Sequence, residues 1–164
     1  MFKFGPSWGN GYAWDYKGKT EIAQIIVSRS ETRINSINVL FVEDGGNKLV
    51  MARNIDGDST HSLNTIMLDY PHEVITGISG KYGTDLNVHG SKRLRCITFV
   101  TNKGKYGPLE VSSAKYKREI EFEYDVGCKQ FGGFFGTFTS DGIETIGMYL
   151  KPLEKLTIHP VKKE

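Results

Sequence analysis

Residues 119–126 read Glu119-Ile120-Glu121-Phe122-Glu123-Tyr124-Asp125-Val126, four acids alternating with four apolar side chains. Only an extended chain sends successive side chains to opposite faces, so this run is a strand with an acidic outward face and an apolar inward one. The acids also discourage pairing with another chain's edge. Runs rich in β-branched residues recur at short intervals, at 21–27, 33–42, 48–51, 63–69, 72–80 and 93–100. In the second of these Ile37, Val39 and Phe41 share one face. Further on, Leu94, Cys96, Thr98 and Val100 alternate with Arg93, Arg95, Ile97 and Phe99. Asp44-Gly45-Gly46-Asn47 has the composition of a hairpin turn. Residues 81–91, with Tyr82, Asp85 and His89, read as a loop, 101–108 as a turn and 115–118 as a solvated basic loop. About ten strands and no amphipathic helix predict an all-β sandwich, barrel or prism.

Length and charge bound the rest. A chain of 164 residues fits one domain with a sizeable core. Nineteen glycines, nine Phe, eight Tyr and two Trp suit turns and sheets. A formal charge of +2 lacks the concentrated basic face of a nucleic-acid binder. Cys96 and Cys128 both sit in apolar strand-like contexts and read as buried free thiols, with pairing left open by the sequence. Met1-Phe2-Lys3-Phe4 leads into Gly-Pro without an apolar signal region, and no apolar run approaches a membrane span. With no Asn-x-Ser/Thr sequon, the expectation is a cytoplasmic or nucleocytoplasmic protein with no membrane partner.

Two stretches invite function. Gly5-Pro6-Ser7-Trp8-Gly9-Asn10-Gly11-Tyr12-Ala13-Trp14 cannot be helical; its glycines bring backbone N–H groups to the surface, and its indole rings pack under the loop or against a ligand. Residues 132–152 read as strand, polar turn, strand, with Thr139-Ser140-Asp141-Gly142 at the turn and Glu144 just beyond it. A carboxylate beside free backbone N–H groups suits hydroxyl-rich ligands, accepting from adjacent O–H groups while the backbone donates. The plainer reading is a hairpin with a solvated acid.

Metal and enzyme readings fare worse. Asp56-Gly57-Asp58 within residues 54–61 lacks the later ligands of an EF-hand loop and reads as a surface turn. His61, His72, His89 and His159 have no zinc spacing, and no nucleophile–base motif or phosphate loop appears. No cofactor, metal or catalytic residue is expected.

Laid out in order, the motifs resemble those of the plant jacalin-related lectins over roughly residues 3–152. They are Gly5-Pro6-Ser7-Trp8-Gly9-Asn10-Gly11 with Trp14-Asp15, Ile78-Ser79-Gly80, Thr98-Phe99 with Tyr106-Gly107-Pro108, Gly133-Phe134-Phe135-Gly136, and Ile146-Gly147-Met148-Tyr149-Leu150-Lys151-Pro152. The resemblance implies a β-prism of three four-stranded Greek-key sheets with pseudo-threefold symmetry. It places a lectin domain at 1–152 and leaves 153–164 as a flexible tail. It also implies a shallow site for mannose- or glucose-type glycans between the N-terminal glycine loop and the last hairpin. The family's Gly-x-x-x-Asp falls on Ser140 and Glu144, with Asp141, Gly142 and Ile143 between, and Gly11, Tyr12 and, peripherally, His89 border the site. Glu144 keeps the charge and adds a methylene to the family's Asp. The implied roles are glycan recognition in plant defence or stress response, by a homo-oligomer whose several sites add avidity. The alternative is a lectin-fold protein-interaction domain with a weakened or lost sugar site.

Overall fold

A computed structural model describes residues 1–52, 62–85, 91–112, 116–127 and 130–152. Twelve strands lie among them: β1 (Phe2–Phe4), β2 (Tyr12–Asp15), β3 (Ile22–Arg29), β4 (Ile34–Glu43), β5 (Lys48–Ala52), β6 (Ser62–Met67), β7 (Ile75–Asp85), β8 (Lys92–Thr101), β9 (Lys105–Glu110), β10 (Tyr116–Asp125), β11 (Phe131–Thr139) and β12 (Gly142–Leu150). A 3₁₀ turn at Asp44–Gly46 closes the β4–β5 hairpin where the sequence places one, and no α-helix occurs among the described residues.

The strands form three four-stranded antiparallel sheets, ordered β6-β3-β4-β5, β10-β7-β8-β9 and β2-β11-β12-β1. Within the first two the fourth strand returns beside the first, the Greek-key order. The third repeats that order when counted from β11 through β12 and β1 to β2, so the two ends of the chain complete one sheet. This is the pseudo-threefold β-prism that the motif resemblance implies. The inner strands β4, β8 and β12 touch one another pairwise. Ile37, Val39 and Phe41, Leu94, Ile97 and Phe99, and Ile143, Ile146 and Met148 bring three sheets' apolar faces into one core. Burial of their apolar surface is the main stabilising term.

Several local readings change. β2 and β9 form within stretches read as loop and turn, because their ladders to β11 and β8 satisfy the backbone there. β7 extends to Asp85, and β10 starts at Tyr116 inside the basic run read as loop. A bulge between Lys117 and Ile120 places Arg118 at φ +57°. Beside it Ile120, predicted to face inward, is 44% exposed, while Phe122 and Tyr124 are half-buried and Val126 is buried. In β8 a second bulge, opposite Lys81 and Tyr82, moves Leu94 onto the same core as Ile97 and Phe99 and away from the face of Cys96. Cys96 is a buried free thiol. Cys128, the Asp-x-Asp turn, His89 and the tail at 153–164 lie outside the described residues.

Candidate functional site

β1 pairs with β12 only from Phe2 to Phe4, opposite Leu150 to Met148. Beyond that point the buried Tyr82 hydroxyl takes over the unpaired edge of β12, donating to Ile146 O at 3.1 Å and accepting from Ile146 N at 3.1 Å. Freed from the ladder, residues 5–11 cross the terminal sheet to reach β2 on its far side. The crossing loop roofs a cavity of about 510 Å³ lined in part by Trp8, Phe135, Thr137 and Thr145, within the range of small-molecule sites.

The loop is pinned to the last hairpin at Gly11, whose N–H donates to Glu144 Oε2 at 2.8 Å. No larger residue fits, since a Cβ at Gly11 would stand 2.1 Å from Phe138 O and 2.8 Å from that carboxylate. The hairpin turns through Ser140 and Asp141 into Gly142, whose φ of +100° favours glycine. A Cβ there would meet Ile34 O at 2.5 Å, so the hairpin lies against the start of β4. Tyr12 leans on the Phe138 ring, with centroids 5.7 Å apart, and is 75% exposed. Ile143 is wholly buried.

Glu144 itself is 8% exposed. Its second oxygen, Oε1, accepts from Arg93 Nη1 at 3.1 Å. The same Nη1 donates to Lys92 O at 2.9 Å, and Arg93 Nη2 stands 3.8 Å from Asp141 Oδ2. Asp141 Oδ1 in turn lies 3.4 Å from Arg33 Nη1, and Arg33 Nε donates to Asn35 Oδ1 at 2.9 Å. Two arginines and two acids thus link the starts of β4 and β8 to the last hairpin, with their formal charges balanced. A buried carboxylate is tolerable only when paired in this way. Arg93 Nε and Asn35 Nδ2 are buried donors with no hydrogen-bond partner among the described residues. Lys92 Nζ sits 5.0 Å above the Trp8 ring, completing a basic border beside the glycine loop.

The structure therefore gathers Gly11, Tyr12, Asp141, Gly142 and Glu144 at one end of the prism, with Ile143 beneath. Sequence reasoning missed Arg33, Asn35 and Arg93. Arg93 precedes the β8 bulge at Arg95, which no residue type in the run announces.

The Jacalin-like lectin domain family model matches residues 4–149. The chain belongs to this family. Jacalin-like lectins are carbohydrate binders and not enzymes. Jacalin-related lectin 2 of Arabidopsis thaliana is 36% identical over 136 residues, covering 80% of this chain and 72% of its own. Protein RESTRICTED TEV MOVEMENT 1 of the same plant is 39% identical over 133 residues, with the same coverage. Among solved structures, a mannose-specific jacalin-related lectin from Morus nigra in complex with mannose superposes with a TM-score of 0.71 at 25% identity, covering 91% of this chain and 90% of that one. The solved lectin shares this chain's β-prism ground plan.

Proposed function

We propose that this jacalin-like domain binds mannose- or glucose-type glycans where the 5–11 loop meets the Ser140–Asp141 turn. The observation that carries the reading is the Gly11–Glu144 hydrogen bond, which brings the glycine loop, the family's acidic position and the exposed Tyr12 ring to one place. Gly11, Asp141 and Gly142 supply backbone groups there above the buried Ile143, and Tyr12 offers a ring face for a sugar's apolar side. Each Glu144 oxygen accepts one hydrogen bond and keeps lone-pair capacity for a sugar hydroxyl. The mannose complex of the Morus nigra lectin supports the sugar class. His89 belongs to the same reading as a peripheral contact, as do a cytoplasmic location and a part in plant defence.

A second reading has its own observation. Both Glu144 oxygens are already engaged, one by Arg93, so a sugar must share or displace an internal partner. A lectin-fold interaction domain with a weakened sugar site fits that arrangement, and the similarity to Protein RESTRICTED TEV MOVEMENT 1 is compatible with it.

Titration calorimetry with methyl α-mannoside, glucose and galactose separates the two. Glycan recognition predicts a dissociation constant of about 1 mM or tighter for mannose or glucose, weaker for galactose, and lost in Glu144→Gln and Tyr12→Ala. Silence toward every sugar, and on a glycan array, leaves the interaction domain.

A further inference from the structure

The sugar reading rests on the tip of the last hairpin, whereas the cavity beneath the 5–11 loop runs along the outer face of the β2-β11-β12-β1 sheet. Phe134, Ile146 and Met148 point into the core, so Phe135, Thr137 and Thr145 face outward into that cavity. Thr137 and Thr145 are cross-strand partners, and their hydroxyl oxygens lie 2.9 Å apart. Thr145 Oγ1 also accepts from Thr137 N at 2.9 Å. Two hydroxyls carry two protons and their mutual bond uses one, so one O–H is left without an acceptor among the described residues. Thr145 is 2% exposed, and a donor buried to that degree is costly until it is paired. The cavity is the open space from which an acceptor can reach it. Glycine at position 9 lets the loop close over this pair, since a Cβ there would stand 2.2 Å from Thr137 Oγ1.

Toward Phe135 the cavity turns positive. Lys3 Nζ sits 4.7 Å from the Phe135 ring centroid and 5.7 Å from that of Tyr149, and Lys17 Nζ reaches the same Tyr149 ring at 5.8 Å. Neither ammonium forms an ion pair among the described residues. The acid at hand, Asp15, is turned elsewhere: Oδ1 accepts from Lys17 N at 2.8 Å and Oδ2 from the Tyr149 hydroxyl at 2.5 Å. Burial and that carboxylate push the pKa of the Tyr149 phenol up to about 12, so it keeps its proton and its bond to Asp15. Two cations against one carboxylate leave this part of the cavity with net positive charge.

We propose that this cavity is a second ligand site, independent of the sugar reading, and that it takes a small aromatic carboxylate. Lys3 supplies the counter-charge, the threonine pair donates a hydrogen bond, and Pro6, Trp8 and Phe135 offer apolar and ring surface. Charge selects the anion over its isosteres. An amine would meet Lys3 and Lys17, and a neutral alcohol would leave Lys3 without a counter-ion. The volume of about 510 Å³ exceeds what a single ring needs, so a ligand of about ten non-hydrogen atoms fills only part of it and binds with a dissociation constant of about 1 mM.

Amide spectra of the full chain titrated with phenylacetate, phenylethanol and phenylethylamine test it, with methyl α-mannoside run in parallel. Phenylacetate should shift the Ala13, Thr137 and Thr145 signals with a dissociation constant of about 1 mM while Tyr12 and Asp141 stay. The alcohol and the amine should bind at least about tenfold more weakly. Lys3→Met, at an exposed position, should weaken phenylacetate at least about fivefold. Ala13→Phe, which fills the cavity from another exposed position, should abolish its binding. Both variants should titrate with methyl α-mannoside as the parent chain does, and Glu144→Gln should leave phenylacetate binding in place, so the two sites fail independently. No shift up to about 10 mM phenylacetate, equal binding of the alcohol, shifts confined to Tyr12 and Asp141, or indifference to both substitutions overturns the proposal.

Discussion

The β6-β3-β4-β5 and β10-β7-β8-β9 sheets have the same strand order and opposite treatments of charge. The first is apolar inside and, across the middle rows of its outer face, uncharged. The second carries Lys81, Glu110, Glu121 and Glu123 outside and tucks Arg93 and Arg95 into ion pairs with Glu144 and Glu119. Topology follows from the apolar faces that must meet in the core, and both sheets provide one. The remaining faces are free of that constraint, and there the sheets diverge: one leaves Leu49, Met51, Leu63 and Met67 exposed, the other forms charge pairs that tie it to its neighbours.

The contrast breaks most easily in the neutral sheet, whose stability must come from its inner face alone. Phe41, 1% exposed, should cost about 3–5 kcal/mol when changed to Ala, and Met67→Ala on the outer face no more than about 0.5 kcal/mol, read by urea unfolding. Comparable losses on the two faces would mean that the outer one is covered within the monomer.

A somewhat smaller effect is expected from the charged sheet. Arg93→Met leaves Glu144 buried without its cation, which should cost about 3 kcal/mol, or some 6–12 °C in Tm. Adding Glu144→Gln should recover much of that loss, since the penalty comes mainly from the stranded charge. If the single substitution costs less than about 1 kcal/mol, the pair is not a structural tie.

The smallest expected effect concerns acid. Burial alone would raise the pKa of Glu73, but Asp69 N–H and the Thr101 and Tyr106 hydroxyls outweigh it and hold the carboxyl below the usual range. A depressed folded pKa means the unfolded chain binds the proton more readily. The stabilisation is therefore complete above the ordinary glutamate value near about 4.3 and is lost as pH falls through the lower folded value. Hydrogen exchange below about pH 4 should loosen the Glu73, Thr101 and Tyr106 end of the charged sheet before the neutral one, and Glu73→Gln should flatten that dependence. Uniform loosening of both sheets would remove the distinction.

Much of the fold was legible because period-two alternation is local. Residues 119–126 and 33–42 announce strands without reference to any partner, and Asp44-Gly45-Gly46-Asn47 announces its turn. The short β2 and β9 were not legible, since their extension depends on the ladders of β11 and β8. At the site, Gly11, Gly142 and Glu144 were found through the motif resemblance, and the structure brings them together. Arg93 was not found: the bulge just after it shifts the face of β8 by one residue, and it meets Glu144 across 51 positions of sequence.

What the sequence determined by itself, then, is the inventory of strands, the apolar face each must bury and the glycines its tight passages require. The tertiary structure decided which strands became neighbours, where register slipped, and which charge Glu144 would face inside the protein. Those outcomes depend on contacts between residues far apart in the chain, and alternation, being local, carries no record of them.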